Sequence, residues 1–257
     1  MYVIGKSRAN KSKRTVLKGA ILIVLAVIAM SCEKRESSEI LVDEAIYQDY
    51  LVSYDLSAKK TSAAASLRDK KGVRLELNRT GERILFNKKE PNQAKSLSSS
   101  LLGAFAAAIT DYEYVWKVGQ LIDGEFTYVK NKSRSFRNTI SLKEIETIQI
   151  PVDFKEVKLD GSTVLKWEGA SVGKKENVSI SFVQKDNVNG GGTGTVSLEG
   201  AKELRLNGLL IKGLKKGKTT VILTRRKELT GIAQSDGKQN NGRRIVEVVV
   251  SKEIYVK

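Results

Sequence analysis

Tyr112-Glu113-Tyr114-Val115-Trp116-Lys117-Val118 places apolar side chains at every even position. A period of two belongs to a strand with one buried face, whereas a helix repeats every 3.6 residues. Val73-Arg74-Leu75-Glu76-Leu77 alternates in the same way, so Glu113 and its charged counterparts are expected to point at solvent. Phe126-Thr127-Tyr128-Val129 and Phe136-Arg137-Asn138-Thr139-Ile140-Ser141-Leu142 flank Asn131-Lys132-Ser133-Arg134, which predicts a hairpin.

Further strands are expected after Pro151. Val157-Lys158-Leu159 and Val164-Leu165-Lys166-Trp167 are separated by a turn at Asp160-Gly161. Val178–Phe182, Thr195–Leu198, Leu204–Leu206, Thr220–Leu223 and Ile245–Val250 follow, broken by Gly and Asn. Short strands at this spacing predict an all-β chain of two tandem immunoglobulin-like sandwiches, 45–150 and 151–257. The cut falls at Ile148-Gln149-Ile150-Pro151, with one continuous sandwich as the alternative. Lys143-Glu144-Ile145-Glu146 has room for one helical turn. Trp116 and Trp167, one per half, read as core aromatics in preference to sugar platforms.

The amino-terminal 31 residues differ in kind. A basic stretch, residues 1–18, leads into the unbroken apolar run Gly19–Met30, which stops at Ser31-Cys32-Glu33-Lys34-Arg35-Glu36. This is the layout of a secretory signal, and twelve residues are too few for the ~20 that span a bilayer. Ala29-Met30-Ser31-Cys32 resembles the signal of bacterial lipoproteins. That resemblance implies cleavage before Cys32, a diacylglyceryl group on its thiol, and acylation, palmitate among the chains, of the new amino terminus. A thiolate is the good nucleophile that such chemistry needs. The family pattern usually has Leu three residues before the cysteine and a small residue two before it, where this chain has Ala29 and Met30. Residues 32–44 then read as a lipidated, flexible tether, and Glu33 gives no reason for inner-membrane retention, so an outer-membrane location is expected.

The full chain of 257 residues is 40% hydrophobic and 29% charged, which suits a core-forming body in the 226 residues after the signal. The formal charge is +16, of which Lys6, Arg8, Lys11, Lys13, Arg14 and Lys18 contribute six within the signal, leaving +10. Such a surplus is either a solvated lysine-rich surface or a means of steering polyanions. The single cysteine rules out an internal disulfide, and the absence of histidine removes Ser-His-Asp catalysis and the commonest metal ligand. No cofactor, metal or catalytic residue is expected.

Arg225, Arg226, Arg243 and Arg244 flank the last two strands and form the candidate polyanion patch, because guanidinium grips phosphate and carboxylate bidentately. No aromatic residues interleave with them, so specific nucleic-acid binding is not expected. Asp186–Gly194 is glycine-rich but lacks the Lys-Ser/Thr of a phosphate loop and the alternating oxygens of a calcium loop, and Asp236–Gly242 reads as a long hairpin loop. Asp111, Glu113, Asp123 and Glu125 supply carboxylates but no evident acid–base pair. Leu101–Ile109 is either a buried strand or an exposed hairpin tip that docks a partner or lipid.

Tyr54-Asp55 with Thr61 and Ala63–Ala65, Phe126 with Tyr128 before a hairpin, and Leu165-Lys166-Trp167-Glu168-Gly169 with Glu176-Asn177-Val178 resemble two-sandwich envelope lipoproteins of Gram-negative bacteria. The resemblance covers most of the chain after Cys32 and implies no activity. The expected function is a noncatalytic, lipid-anchored binding or scaffolding module, with an envelope protein or an anionic glycan as partner. A polysaccharide-directed accessory or hydrolytic protein is the alternative.

Overall fold

The computed structural model describes residues 34–92, 113–131, 134–160, 163–184, 192–237 and 241–257. Cys32, the preceding signal and the Leu101–Ile109 stretch lie outside the described residues. The chain is all-β. Its first half supplies β1 (Lys34–Glu36), β2 (Tyr47–Asp55), β3 (Lys60–Arg68), β4 (Arg74–Glu76), β5 (Arg83–Phe86), β6 (Tyr114–Val118), β7 (Gly124–Asn131), β8 (Arg134–Ile140) and β9 (Ile148–Gln149). The second half supplies β10 (Glu156–Val157), β11 (Val164–Lys166), β12 (Glu168–Gly169), β13 (Glu176–Val183), β14 (Gly194–Val196), β15 (Glu203–Arg205), β16 (Gly217–Leu229) and β17 (Gly242–Val256). The region expected to form a helical turn does so one residue early, as a 3-10 turn over Leu142–Glu144 closed by a capping box from Ser141.

One large sheet runs β1-β4-β3-β2-β17-β16-β13-β14, with β6 also bonded to β3 and β10 to β17. At its centre, every residue from Ile245 to Val250 is buried. This follows from the run of β-branched residues: a strand flanked on both edges and packed on both faces needs apolar side chains without alternation. β17 pairs antiparallel with β16 from Gly217–Val256 to Leu229–Arg244, and parallel with β2 from Gly242–Gln48 to Val249–Asp55. A Cβ at Gly242 would strike the Gln48 carbonyl oxygen, so glycine allows the first contact of that parallel pair.

The backbone ladder does not break at Ile150-Pro151. β2 of the first half is bonded to β17 of the second, and β9 pairs with β12 across the same point. The reason is strand length. β16 and β17 have 13 and 15 residues, more than twice the usual ~5–6, so each can serve both halves. Thr220–Leu223 and Ile245–Val250 mark only parts of them.

Smaller sheets close the two layers. β5-β7-β8 lies over β2, β3 and β6, with the Tyr50 and Phe126 rings stacked at 4.5 Å and Trp116 edge-on to Phe126 at 5.8 Å. β7 and β8 are the expected hairpin, Asn131 facing Arg134. In the second half β11-β15 and β9-β12 contribute Leu165, Trp167, Leu204 and Ile148 to the same apolar cluster as Val178, Leu223 and Val250. Both tryptophans are core residues: Trp116 Nε1 donates to the Lys89 carbonyl at 2.9 Å and Trp167 Nε1 to the Ala170 carbonyl at 3.0 Å. β10 and β11 do not form a hairpin; β10 joins β17 in parallel, and β11 joins β15.

Residues 34–44 are folded, contrary to the flexible tether that their polarity suggests. β1 pairs parallel with β4, Lys34 beside Arg74, and Ser37 and Ile40 are buried. Arg35 Nη1 sits 2.9 Å from Asp69 Oδ2, and Lys34 Nζ lies 3.0 Å from Glu113 Oε2. Glu113 is accordingly not turned to open solvent; its side chain is 8% exposed and receives Lys34 and Arg74. A three-residue strand is too short to show a period, and its partners lie tens of residues away.

Asp69 is the hub of this attachment. Burial alone would raise its pKa, but the N–H groups of Val73 and Lys71 and the Arg35 guanidinium outweigh burial and hold it below the ordinary carboxylate range. A depressed carboxylate stabilises the fold above the ordinary Asp value of ~3.9 and loses that contribution as pH falls through the folded value. Asp69→Asn should therefore lower stability by about 1–3 kcal/mol at neutral pH, with the gap to the unsubstituted chain closing in acid. Urea midpoints at both pH values check this; a gap that stays constant in acid would contradict it.

Candidate functional site

The four arginines of the expected patch do not converge. Along β16 and β17, Arg225 and Arg244 lie on the face that carries the core, while Arg226 and Arg243 lie on the other, because neighbouring strand positions alternate. Arg225 is wholly buried, donates from Nη2 to the Ala170 and Ser171 carbonyls at 2.6 and 2.7 Å, and has Glu176 3.7 Å from its Nε. Arg226 Nη1 reaches Glu247 at 2.9 Å. Burial raises the Glu247 pKa, and the Arg226 charge and hydrogen bond oppose that rise. Arg243 clasps Asp49 with two bonds of 3.0 and 2.8 Å, and Arg244 spans the Gly231 and Thr139 carbonyls and Glu144. Each guanidinium is thus engaged by a buried or backbone acceptor.

Two of the four carboxylates raised by the sequence, Glu113 and Asp123, are engaged too. Asp123 Oδ1 accepts the Leu142 N–H at 3.0 Å, Glu113 holds β1, and Asp111 lies outside the described residues. Asp236, in what reads as a plain hairpin loop, is completely buried: Oδ2 meets Lys130 Nζ at 2.5 Å and the Ile46 N–H at 3.1 Å, and Oδ1 meets Arg134 at 2.7 Å. These contacts pin the β16–β17 loop to the β7–β8 hairpin and the start of β2. Nothing in the local pattern around Asp236 announces this, since its partners lie about a hundred or more residues away.

The feature best suited to a ligand is a cleft of about 430 Å³ at the end of the large sheet where β2 begins and β3 ends. Glu44, Tyr47, Arg68, Asp69, Lys70 and Asn241 line it. Tyr47 and Arg68 are paired across β2 and β3, and the Asp69–Gly72 turn forms the rim, with Gly72 at φ +82°. Arg68 Nε is buried without a hydrogen bond, its nearest carboxylate being Asp49 at 3.9 Å, and Lys70 Nζ lies 3.6 Å from Glu44. Partial burial and then the Asp49 charge raise the Tyr47 pKa, so its hydroxyl stays a neutral donor. The wall thus offers cationic groups, an aromatic ring with a hydroxyl, and the Glu44 carboxylate. Asp69 already accepts three donors, which leaves it a structural anion instead of an acid–base partner. In the sequence Lys70-Lys71 is one basic pair among several, and only the register of β2 against β3 singles it out.

A second cleft, about 290 Å³, lies where Ile150 meets the end of β2 and is lined by Ser57, Gln149, Ser251 and Lys252 among others, with no carboxylate. Among the described residues no group of three or more carboxylates or cysteines is placed to hold a metal, and no helix is long and apolar enough to cross a membrane.

No family model matches the chain, and no curated protein matches it. Among solved structures it is similar to a tetra-tandem repeat from the extending region of a large adhesion protein, at 13% identity and a TM-score of 0.26, covering 84% of this chain and 68% of that one.

The burial of Arg225 sets an expectation for mutagenesis. Arg225→Ala removes the partner of two carbonyls and of Glu176, and should cost about 3–5 kcal/mol of stability, as breaking a buried charge contact does. Urea unfolding measures it; a loss below about 1 kcal/mol would mean that the side chain is solvated after all.

Proposed function

We propose that this chain is a lipid-anchored protein of the cell envelope, held in the outer membrane through Cys32, whose body is a noncatalytic binding or scaffolding module. The observation that carries the reading is a juxtaposition. A twelve-residue apolar run ends at Met30, two residues before the chain's one cysteine, and a strand begins two residues after that cysteine at Lys34. A signal sequence needs its cleavage point just outside the fold, and a lipid anchor needs its cysteine there. Several acyl chains at about 0.8 kcal/mol per buried methylene make such attachment stable without a membrane-binding surface on the body.

The binding role is supported by the cleft around Tyr47, Arg68 and Lys70, in which Tyr47 and Arg68 are held by the β2–β3 backbone ladder and are therefore pre-organised. An anionic glycan or an envelope protein bearing exposed acidic groups fits it. The Tyr47 ring also suits a sugar face, which is the feature that favours a polysaccharide-directed role.

The anchor is tested by Cys32→Ala. The variant should leave the detergent phase or accumulate as uncleaved precursor, and a fully processed, membrane-bound variant would refute the anchor. In-cell crosslinking with identification of neighbours separates protein from glycan partners.

A further inference from the structure

The large sheet has a direction relative to Cys32. β1 runs parallel to β4, which runs parallel to β2 and β17, because β3 is antiparallel to both β2 and β4. The amino end of β1 therefore lies at the same end of the sheet as Tyr47, Arg68, Arg74 and Gly242. Only Glu33 separates Cys32 from Lys34, so the two outer Cα atoms are at most about 7 Å apart. Ion pairs of Lys34 with Glu113 and of Arg35 with Asp69 hold β1 to the body, so this leash cannot lengthen by unravelling without breaking them.

The cleft opens at that same end. Its rim is the Asp69–Gly72 turn, where Lys70 is 69% exposed at its side chain and Lys71 is exposed. From Gly242, β17 runs away from this end for fifteen residues, about 45 Å at ~3.3 Å per residue, to Val256 beside β10.

Resting on the lipid anchor argued above, we propose that the Lys34–Tyr47–Lys71 end of the sheet lies against the phospholipid headgroups of the anchoring membrane. The cleft of Tyr47, Arg68 and Lys70 then faces those headgroups, and β17 carries the second half outward. The short leash supplies proximity, and the exposed Lys70 and Lys71 ammonium groups supply contacts to phosphate oxygens. Glu44 and Asp69 on the same rim make the surface one of mixed charge, which suits zwitterionic phosphatidylethanolamine as well as anionic lipid. In this orientation the anionic groups that the cleft takes are lipid phosphates in place of a glycan or protein, and an envelope partner meets the far end, around Lys158 and Tyr255.

The test uses the full chain matured in cells, reconstituted into vesicles of phosphatidylethanolamine and phosphatidylglycerol that carry a headgroup spin label. Lys71→Cys and Lys158→Cys, both at exposed positions, receive a maleimide fluorophore. An acylated Cys32 takes no label. Quenching should be at least three-fold stronger at position 71 than at 158. Inserting twenty Gly/Ser residues between Glu33 and Lys34, a reach of roughly 25 Å, should remove most of that difference. Flotation with vesicles combined with equal or reversed quenching would overturn the orientation while leaving the anchor intact. Failure to float, with Cys32 itself taking label, would overturn the anchor and the orientation together.

Discussion

The pairing of β17 with β2 and β16 is the constraint on which the rest of the structure depends. It joins residues almost two hundred positions apart, and it is parallel on one side and antiparallel on the other. A parallel pair cannot be closed by a tight turn, so the intervening chain must travel out, build the second layer and return. The route passes through β5-β7-β8 over the first half of the sheet and β9-β12 with β11-β15 over the second. Because β16 and β17 are long enough to serve both, the two sandwich-like halves share one sheet and one continuous apolar cluster.

A shared sheet that is packed this tightly has to accommodate its charges. Arg225, Asp49, Glu247, Lys130 and Asp236 are all buried, and each has an opposite charge nearby: Glu176, Arg243, Arg226, and Lys130 with Asp236 for each other. Replacing such pairs with apolar residues is often neutral for stability, so their effect is better sought in register and connection. Arg243 with Asp49 fixes β17 against β2, and Asp236 with Lys130 fixes the hairpin loop against the opposite layer. Much of the arginine content therefore stitches the fold together, and the exposed surplus is mainly lysine.

The sequence made strands legible where alternation extends over five or more residues, as at Tyr114–Val118, Gly124–Asn131 and Glu176–Val183. It also made the core role of Trp116 and Trp167 legible, since both sit within alternating runs. What it left hidden is non-local. The length of β16 and β17 is masked by their polar ends, Arg225–Glu228 and Ser251–Glu253, which pair in the ladder but interrupt the apolar alternation. The order of residues 34–44 depends on Asp69 and Glu113, and the cleft depends on Tyr47 and Arg68 meeting across β2 and β3. The arginine cluster is coherent only along the sequence, since a strand sends adjacent side chains to opposite faces.

Whether the shared sheet makes the halves one cooperative unit can be measured directly, because each half contains one tryptophan. In Trp167→Phe the remaining fluorescence reports on the first half, and in Trp116→Phe on the second. Urea unfolding of each variant, followed by tryptophan emission and by far-ultraviolet circular dichroism, should give coincident single transitions. An emission transition that separates from the backbone signal in either variant, showing one half melting while the other stays folded, would contradict a fold built on β17.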